Sequence, residues 1–134
     1  MDTAIIEHPK IAIVDDNRQV RDTICELLNL KGYQTSITAA NGQLFIDAIR
    51  NADQLPDICL IDLEMPVMNG YDTIKAIRQE WPDLKIIACS VNAAAYQIAQ
   101  VIKLGANVFW QKGGTPRILI EHIEEILADR INST

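Results

Sequence analysis

No stretch of this 134-residue chain stays apolar for the roughly 18 residues that a membrane-crossing helix needs. The first residues, Met1-Asp2-Thr3-Ala4-Ile5-Ile6-Glu7-His8, have no basic start and no long apolar core, so they do not read as a secretory signal. Positive charge is in deficit: 12 Lys and Arg stand against 18 Asp and Glu, a net charge of −6. Direct binding to nucleic acid or to an anionic membrane needs the opposite sign. Cysteine is scarce. Cys25, Cys59 and Cys89 are an odd number without metal-ligand spacing, each in an apolar stretch. They read as buried thiols in a reducing compartment, and a cytoplasmic location is expected. Repeats, low-complexity tracts and linkers are absent, and little chain follows the last helical pattern. One domain over 1–134 is expected, with its core over about 9–130. With 49% hydrophobic and 22% charged residues, the chain has the composition of a globular domain.

Five short apolar runs alternate with five helical patterns. Lys10 to Val14 reads as a strand ending on Asp15-Asp16, with Asn17 placed to cap a helix carrying Val20, Ile24, Leu27 and Leu28. Gly32 stops that helix. Tyr33 to Ala39 is polar for a strand, as suits an edge. Asn41-Gly42 opens a second helix, expected to bury Leu44, Phe45, Ala48 and Ile49. Ile58 to Asp62 is apolar throughout until its last residue. Pro66 then blocks further pairing and Asn69-Gly70 supplies a turn. Tyr71, Ile74 and Ile77 mark a third helix that ends at Trp81-Pro82. Leu84 to Cys89 leads to Ser90. Asn92 is placed to cap a fourth helix, with Ala95, Ile98, Val101 and Ile102 inward. Asn107 to Gln111 leads to Lys112. Thr115-Pro116 starts a last helix burying Leu119, Ile123, Ile126 and Leu127.

Strict alternation with short connections implies an α/β fold: a five-stranded parallel sheet with helices on both faces and right-handed crossovers. Five such units commonly take the strand order 2-1-3-4-5, which brings the ends of strands one and three together at the switch point. Asp15, Asp16 and Asp62 then share one crevice. Three carboxylates stay ionised together only beside a cation. An all-oxygen donor set suits a hard ion, by default Mg²⁺, which favours a few carboxylates plus a phosphate oxygen. Asp62 can be the nucleophile of a phosphoryl transfer, giving an aspartyl-phosphate. Lys112 would hold one phosphoryl oxygen and Ser90 would donate to another.

Together these features resemble the response-regulator receiver domain of two-component signalling, the CheY-like superfamily with a flavodoxin-like fold. The resemblance rests on Asp15-Asp16 after an apolar strand, Asp62 followed by Met65-Pro66-Val67-Met68-Asn69-Gly70, Ser90 after strand four and Lys112 after strand five. It covers nearly the whole chain. It implies Asp62 as phospho-acceptor, Asp15, Asp16 and the Glu64 backbone carbonyl as further Mg²⁺ ligands, Ser90 as hydroxyl switch and Phe109 as aromatic switch. It also implies a phosphorelay role. A sensor histidine kinase or phosphotransfer protein would give its phosphohistidine group to Asp62. The receiver would catalyse only its own phosphorylation and dephosphorylation, so it is not a conventional enzyme. The face of helix four, strand five and helix five would then change shape for a downstream effector or a homodimer.

Two departures stand out. Gly113 follows Lys112 where most receivers have a cis proline, so a looser loop is expected. Val91 is bulkier than the small residue common after the switch hydroxyl and is expected to narrow access to Asp62. Simpler roles are available to single residues: Asp15-Asp16-Asn17 capping a helix, Lys112 as a solvated charge, Ser90 in a turn, Phe109 in plain core. His8 and His122 read as surface residues away from the site. Competing functions are a receiver cut from a LuxR-type DNA-binding regulator, a haloacid-dehalogenase-type phosphatase, a flavodoxin-like cofactor binder and a docking-only receiver. The phosphatase pattern follows strand one, whereas Asp62-Leu63-Glu64 follows strand three. Asp15-Asp16-Asn17 would repel a cofactor phosphate, and the complete acid set argues against docking alone.

Overall fold

The computed structural model describes residues 8–132, with side chains described from 8 to 129. The elements are β1 (Lys10–Val14), α1 (Arg18–Leu30), β2 (Gln34–Ala39), α2 (Gly42–Arg50), β3 (Ile58–Asp62), α3 (Gly70–Glu80), β4 (Lys85–Ser90), α4 (Ala95–Leu104), β5 (Val108–Gln111) and α5 (Pro116–Asn132). The strands form one parallel sheet in the order β2-β1-β3-β4-β5. This is the order expected from the alternation of elements.

Residues alternate between the two faces of each strand, so each strand feeds two cores. On one face Ala12, Val14, Cys59, Ile61, Ile86 and Ala88 pack with Phe45, Ile46 and Ile49 of α2, Ile74 and Ile77 of α3, and Val101 of α4. On the other, Ile13, Leu60, Ile87 and Trp110 pack with Ile24 and Leu28 of α1 and with Leu119, Ile123 and Ile126 of α5. Central β3 is buried at all five positions, whereas edge strand β2 shows alternate exposure. The asparagines before α1, α2 and α3 act as N-caps. Asn17, Asn41 and Asn69 accept backbone N–H bonds from Val20, Leu44 and Asp72. Asn69-Gly70 is therefore a helix start as well as a turn.

Some expectations are corrected. The buried arc of α2 is Gly42, Phe45, Ile46 and Ile49, while Leu44 is 53% exposed. Leu44-Phe45-Ile46 is apolar at three successive positions, so two stripes about 100° apart fit it equally, and the sheet selects one. Asn92 does not cap α4. The helix begins at Ala95, and the Gln97 side chain accepts from the Ala94 N–H at 2.8 Å. Ala95 and Ile102 are exposed and Ile98 is half-buried; only Val101 of α4 is fully buried. Cys25 is half-buried rather than buried. The residues before His8 lie outside the described range, as does the N-terminal reading that rested on them.

Candidate functional site

Four strands, β1, β3, β4 and β5, end at the same edge of the sheet, and the first residues after β1, β3 and β5 continue the pairing. The Asp15 N–H donates to the Ala39 carbonyl, Leu63 to Cys89 and Lys112 to Ser90, at 3.0, 2.9 and 2.9 Å. These bonds place Asp15, Asp62, Ser90 and Lys112 around one crevice. Asp15, Asp62 and Ser90 are at most 2% exposed, while Asp16 is exposed. The loop from Asp62 to α3 folds tightly back: the Gly70 N–H donates to the Leu63 carbonyl at 3.0 Å. A Cβ on Gly70 would lie 2.4 Å from the Asp62 carbonyl oxygen, so only glycine permits this closure. Within the same loop the Met68 N–H donates to the Pro66 carbonyl at 2.7 Å across Val67, which has φ 69°. This is a γ-turn in the strained left-handed region, held by a β-branched residue.

One carboxylate oxygen from each of Asp15, Asp16 and Asp62 lies within 4.8 Å of the other two. Lys112 Nζ is 2.8 Å from Asp15 Oδ2 and 3.3 Å from Asp62 Oδ1. Asp62 Oδ1 is buried and has no hydrogen bond among the described residues. Burial first, then the charge of Asp15, pushes the Asp62 carboxyl up to about 6; Lys112 and the Glu64 backbone N–H act the other way. Burial opposes the charge on Lys112, but its hydrogen bond to Asp15 and the charges of Asp15 and Asp62 outweigh this and raise it. Lys112 therefore stays protonated, and among the described residues it is the one cation ion-paired with the Asp15 and Asp62 carboxylates. The acids exceed it in charge, and their donors are all oxygen. That environment fits a hard divalent cation.

The predicted residues come together: Asp15, Asp16, Asp62, Glu64, Ser90 and Lys112 all line one cleft of about 860 Å³. Phe109 does not. It is half-buried in the core beneath α2, α3 and α4, paired in register with Ala88. The structure also shows contacts that the sequence reading did not foresee. Lys112 is paired to Asp15. The Ser90 hydroxyl donates to the Glu64 carboxylate, 2.8 and 2.9 Å from its two oxygens. Arg21 Nη1 donates to the Asp15 carbonyl at 2.7 Å. Trp110 walls the cleft with Val20 and Leu27; strand alternation from Phe109 was the signal that could have placed it there. Val91 stands at the cleft, 63% exposed. Gly113 has φ 84°, a conformation closed to proline, so this loop follows a path that a proline after Lys112 could not take.

Known proteins share this arrangement. The sequence profile described as response regulator receiver domain matches residues 11–124. The chain is 33% identical over 118 residues to the chemotaxis protein CheY of Thermotoga maritima, covering 87% of this chain and 96% of that one. It is 30% identical over 130 residues to the nitrate/nitrite response regulator protein NarP of Escherichia coli, covering 92% of this chain and 60% of NarP. It thus spans less than two thirds of NarP. The fold matches the crystal structure of a CheY-like response regulator receiver domain protein from Methanospirillum hungatei with a TM-score of 0.86. Identity there is 26%, over 96% of this chain and 100% of that one.

Proposed function

Because this chain belongs to the response regulator receiver domain family, we propose that it is a phosphorelay switch whose phospho-acceptor is Asp62. The observation that carries this reading is the state of Asp62 itself. It ends the central strand and one of its oxygens lacks a hydrogen bond. Lys112 lies 3.3 Å from that oxygen, and two further acids are beside it.

In the proposed reaction the Asp62 carboxylate attacks the phosphorus of a phosphohistidine on a partner kinase or phosphotransfer protein. The O–P bond forms as the N–P bond breaks, and the imidazole leaves with its electron pair. Lys112 transfers one contact from Asp15 to a phosphoryl oxygen, a short move given its 2.8 and 3.3 Å distances to the two acids. Ser90 donates to a second oxygen. Asp15, Asp16, Asp62 and the Glu64 backbone carbonyl would hold Mg²⁺, which when bound supplies charge neutralisation for the transferring group. Hydrolysis of the acyl phosphate later restores the carboxylate. Ser90 moves toward the phosphoryl group, Phe109 follows, and the face of α4, β5 and α5 shifts between two packings. That face serves an effector or a second copy of the chain. The charge of −6 opposes direct DNA contact by this chain, and among the described residues no helix is long and apolar enough to cross a membrane. The proposed setting is the cytoplasm, with the chain acting as a single receiver unit.

The test is intact mass after incubation with Mg²⁺ and a small acyl-phosphate donor. One added phosphoryl group is expected in the wild type and none in Asp62→Ala or with EDTA. An unmodified wild type, or a modified Asp62→Ala, would overturn the assignment. The similarity to NarP over 60% of its length, with a likeness at 27% identity to a solved two-component response regulator of the LuxR family, favours a second reading, a receiver of a LuxR-type transcription regulator. Coding sequence beyond Thr134 would decide between the two.

A further inference from the structure

The Ser90 side chain is 1% exposed, and its bonding capacity is already in use. Its oxygen accepts from the Asn92 N–H at 3.3 Å, and its proton points at the Glu64 carboxylate. A serine hydroxyl has one proton to donate. It cannot serve Glu64 and a phosphoryl oxygen on Asp62 together. Both acceptors are anions, so the arrival of one also repels the other. Glu64 is exposed, and its carboxylate can leave for water at little desolvation cost.

We propose that Glu64 is the positioning residue of the switch: an internal anion that holds the Ser90 hydroxyl in the resting state and competes with the phosphoryl group for it. This rests on the reading of Ser90 as a phosphoryl partner. Phosphorylation then exchanges one anion for another on the same donor, and the affinity of Glu64 for Ser90 sets how much phosphoryl binding the switch consumes before it turns. The exchange also has a route outward. It starts at the N-terminus of α4, where the Gln97 side chain accepts from the Ala94 N–H a few residues after Ser90. Because α4 has only Val101 fully buried, its first turn is lightly anchored.

A hydrogen bond to a charged acceptor corresponds to roughly ten- to a hundredfold in an equilibrium, and the exposure of Glu64 places this one at the low end. The test uses the full chain with Mg²⁺ and beryllofluoride as a phosphoryl stand-in, titrated by amide NMR shifts of Phe109 and Asn92. Glu64→Ala is expected to tighten beryllofluoride binding about tenfold where Ser90 is present, and by threefold or less in the Ser90→Ala background, where only charge repulsion is relieved. Glu64→Gln keeps an acceptor without the charge and falls between. Equal gains in both backgrounds, or no gain at all, would overturn the latch while leaving Ser90 in place. A Ser90→Ala change that costs no beryllofluoride affinity in the Glu64→Ala background, where no latch competes, would instead remove Ser90 from the phosphoryl site, and the latch falls with it.

Discussion

Replacing Asp62 with Asn should make the metal-free protein more stable at neutral pH. Asp15 and Asp62, with side chains 2% and 3% exposed, share the single cation Lys112. One negative charge is therefore left over in a buried place. Its consequence is the Asp62 carboxyl, raised from 3.8 to about 6 by burial and by Asp15. The neutral acid is thus favoured in the folded state more than in the unfolded one. The stability this contributes is complete below about pH 3.8 and is lost as pH rises through about 6. At about 1.4 kcal/mol per pH unit, the ionised side chain costs about 3 kcal/mol at pH 7.5. Water in the open cleft screens part of this, leaving about 1–2 kcal/mol for Asp62→Asn to recover. Urea unfolding in EDTA at pH 7.5 should show that gain, and it should shrink to well under 1 kcal/mol near pH 4. Mg²⁺ at pH 7.5 should stabilise the wild type and narrow the gap, because it binds the folded acids. A variant no more stable than wild type at pH 7.5, or a gain independent of pH, would refute the charge inventory.

Val67→Gly should raise stability by about 1 kcal/mol in thermal melts, because it relieves a β-branched residue at φ 69° whose side chain is 83% exposed; an unchanged or lowered melting temperature would deny the strain. Gly70→Ala should lower stability by more than about 2 kcal/mol and slow phosphorylation of Asp62, since its Cβ would press on the Asp62 and Leu63 backbone at 2.4 and 2.6 Å; wild-type rates would show that the loop yields freely. Val91→Ala should speed both phosphorylation by a small donor and the later hydrolysis, and unchanged rates would mean that Val91 does not restrict the cleft.

The architecture was legible because its signals are local. Each of the buried strands β1, β3 and β4 holds a run of four apolar residues, and asparagines stand where α1, α2 and α3 begin. Parallel connection follows from strict alternation, and the strand order follows from a topological rule. The acid crevice was legible for the same reason: polar residues closing buried strands must share one edge once the order is known. The misplaced features are those where local pattern is degenerate. Leu44, Phe45 and Ile46 offer α2 two equivalent stripes. Asn92 is a good cap residue by type, but the chain turns into α4 two residues later, where Gln97 does the capping.

By itself, then, the sequence determined the five strand–helix pairs, the sheet they form and the set of groups gathered at its edge, since these depend on periodicity and on the chemistry of each side chain. Tertiary structure alone decided how those groups are paired. Lys112 and Asp15 are 97 positions apart, and Ser90 and Glu64 are 26 apart. Which acid takes the single lysine, and which anion takes the single hydroxyl proton, depends on ångström distances between loops that no local pattern encodes. Those distances arise when β1, β3, β4 and β5 are set side by side and the loop after Asp62 is closed against Gly70.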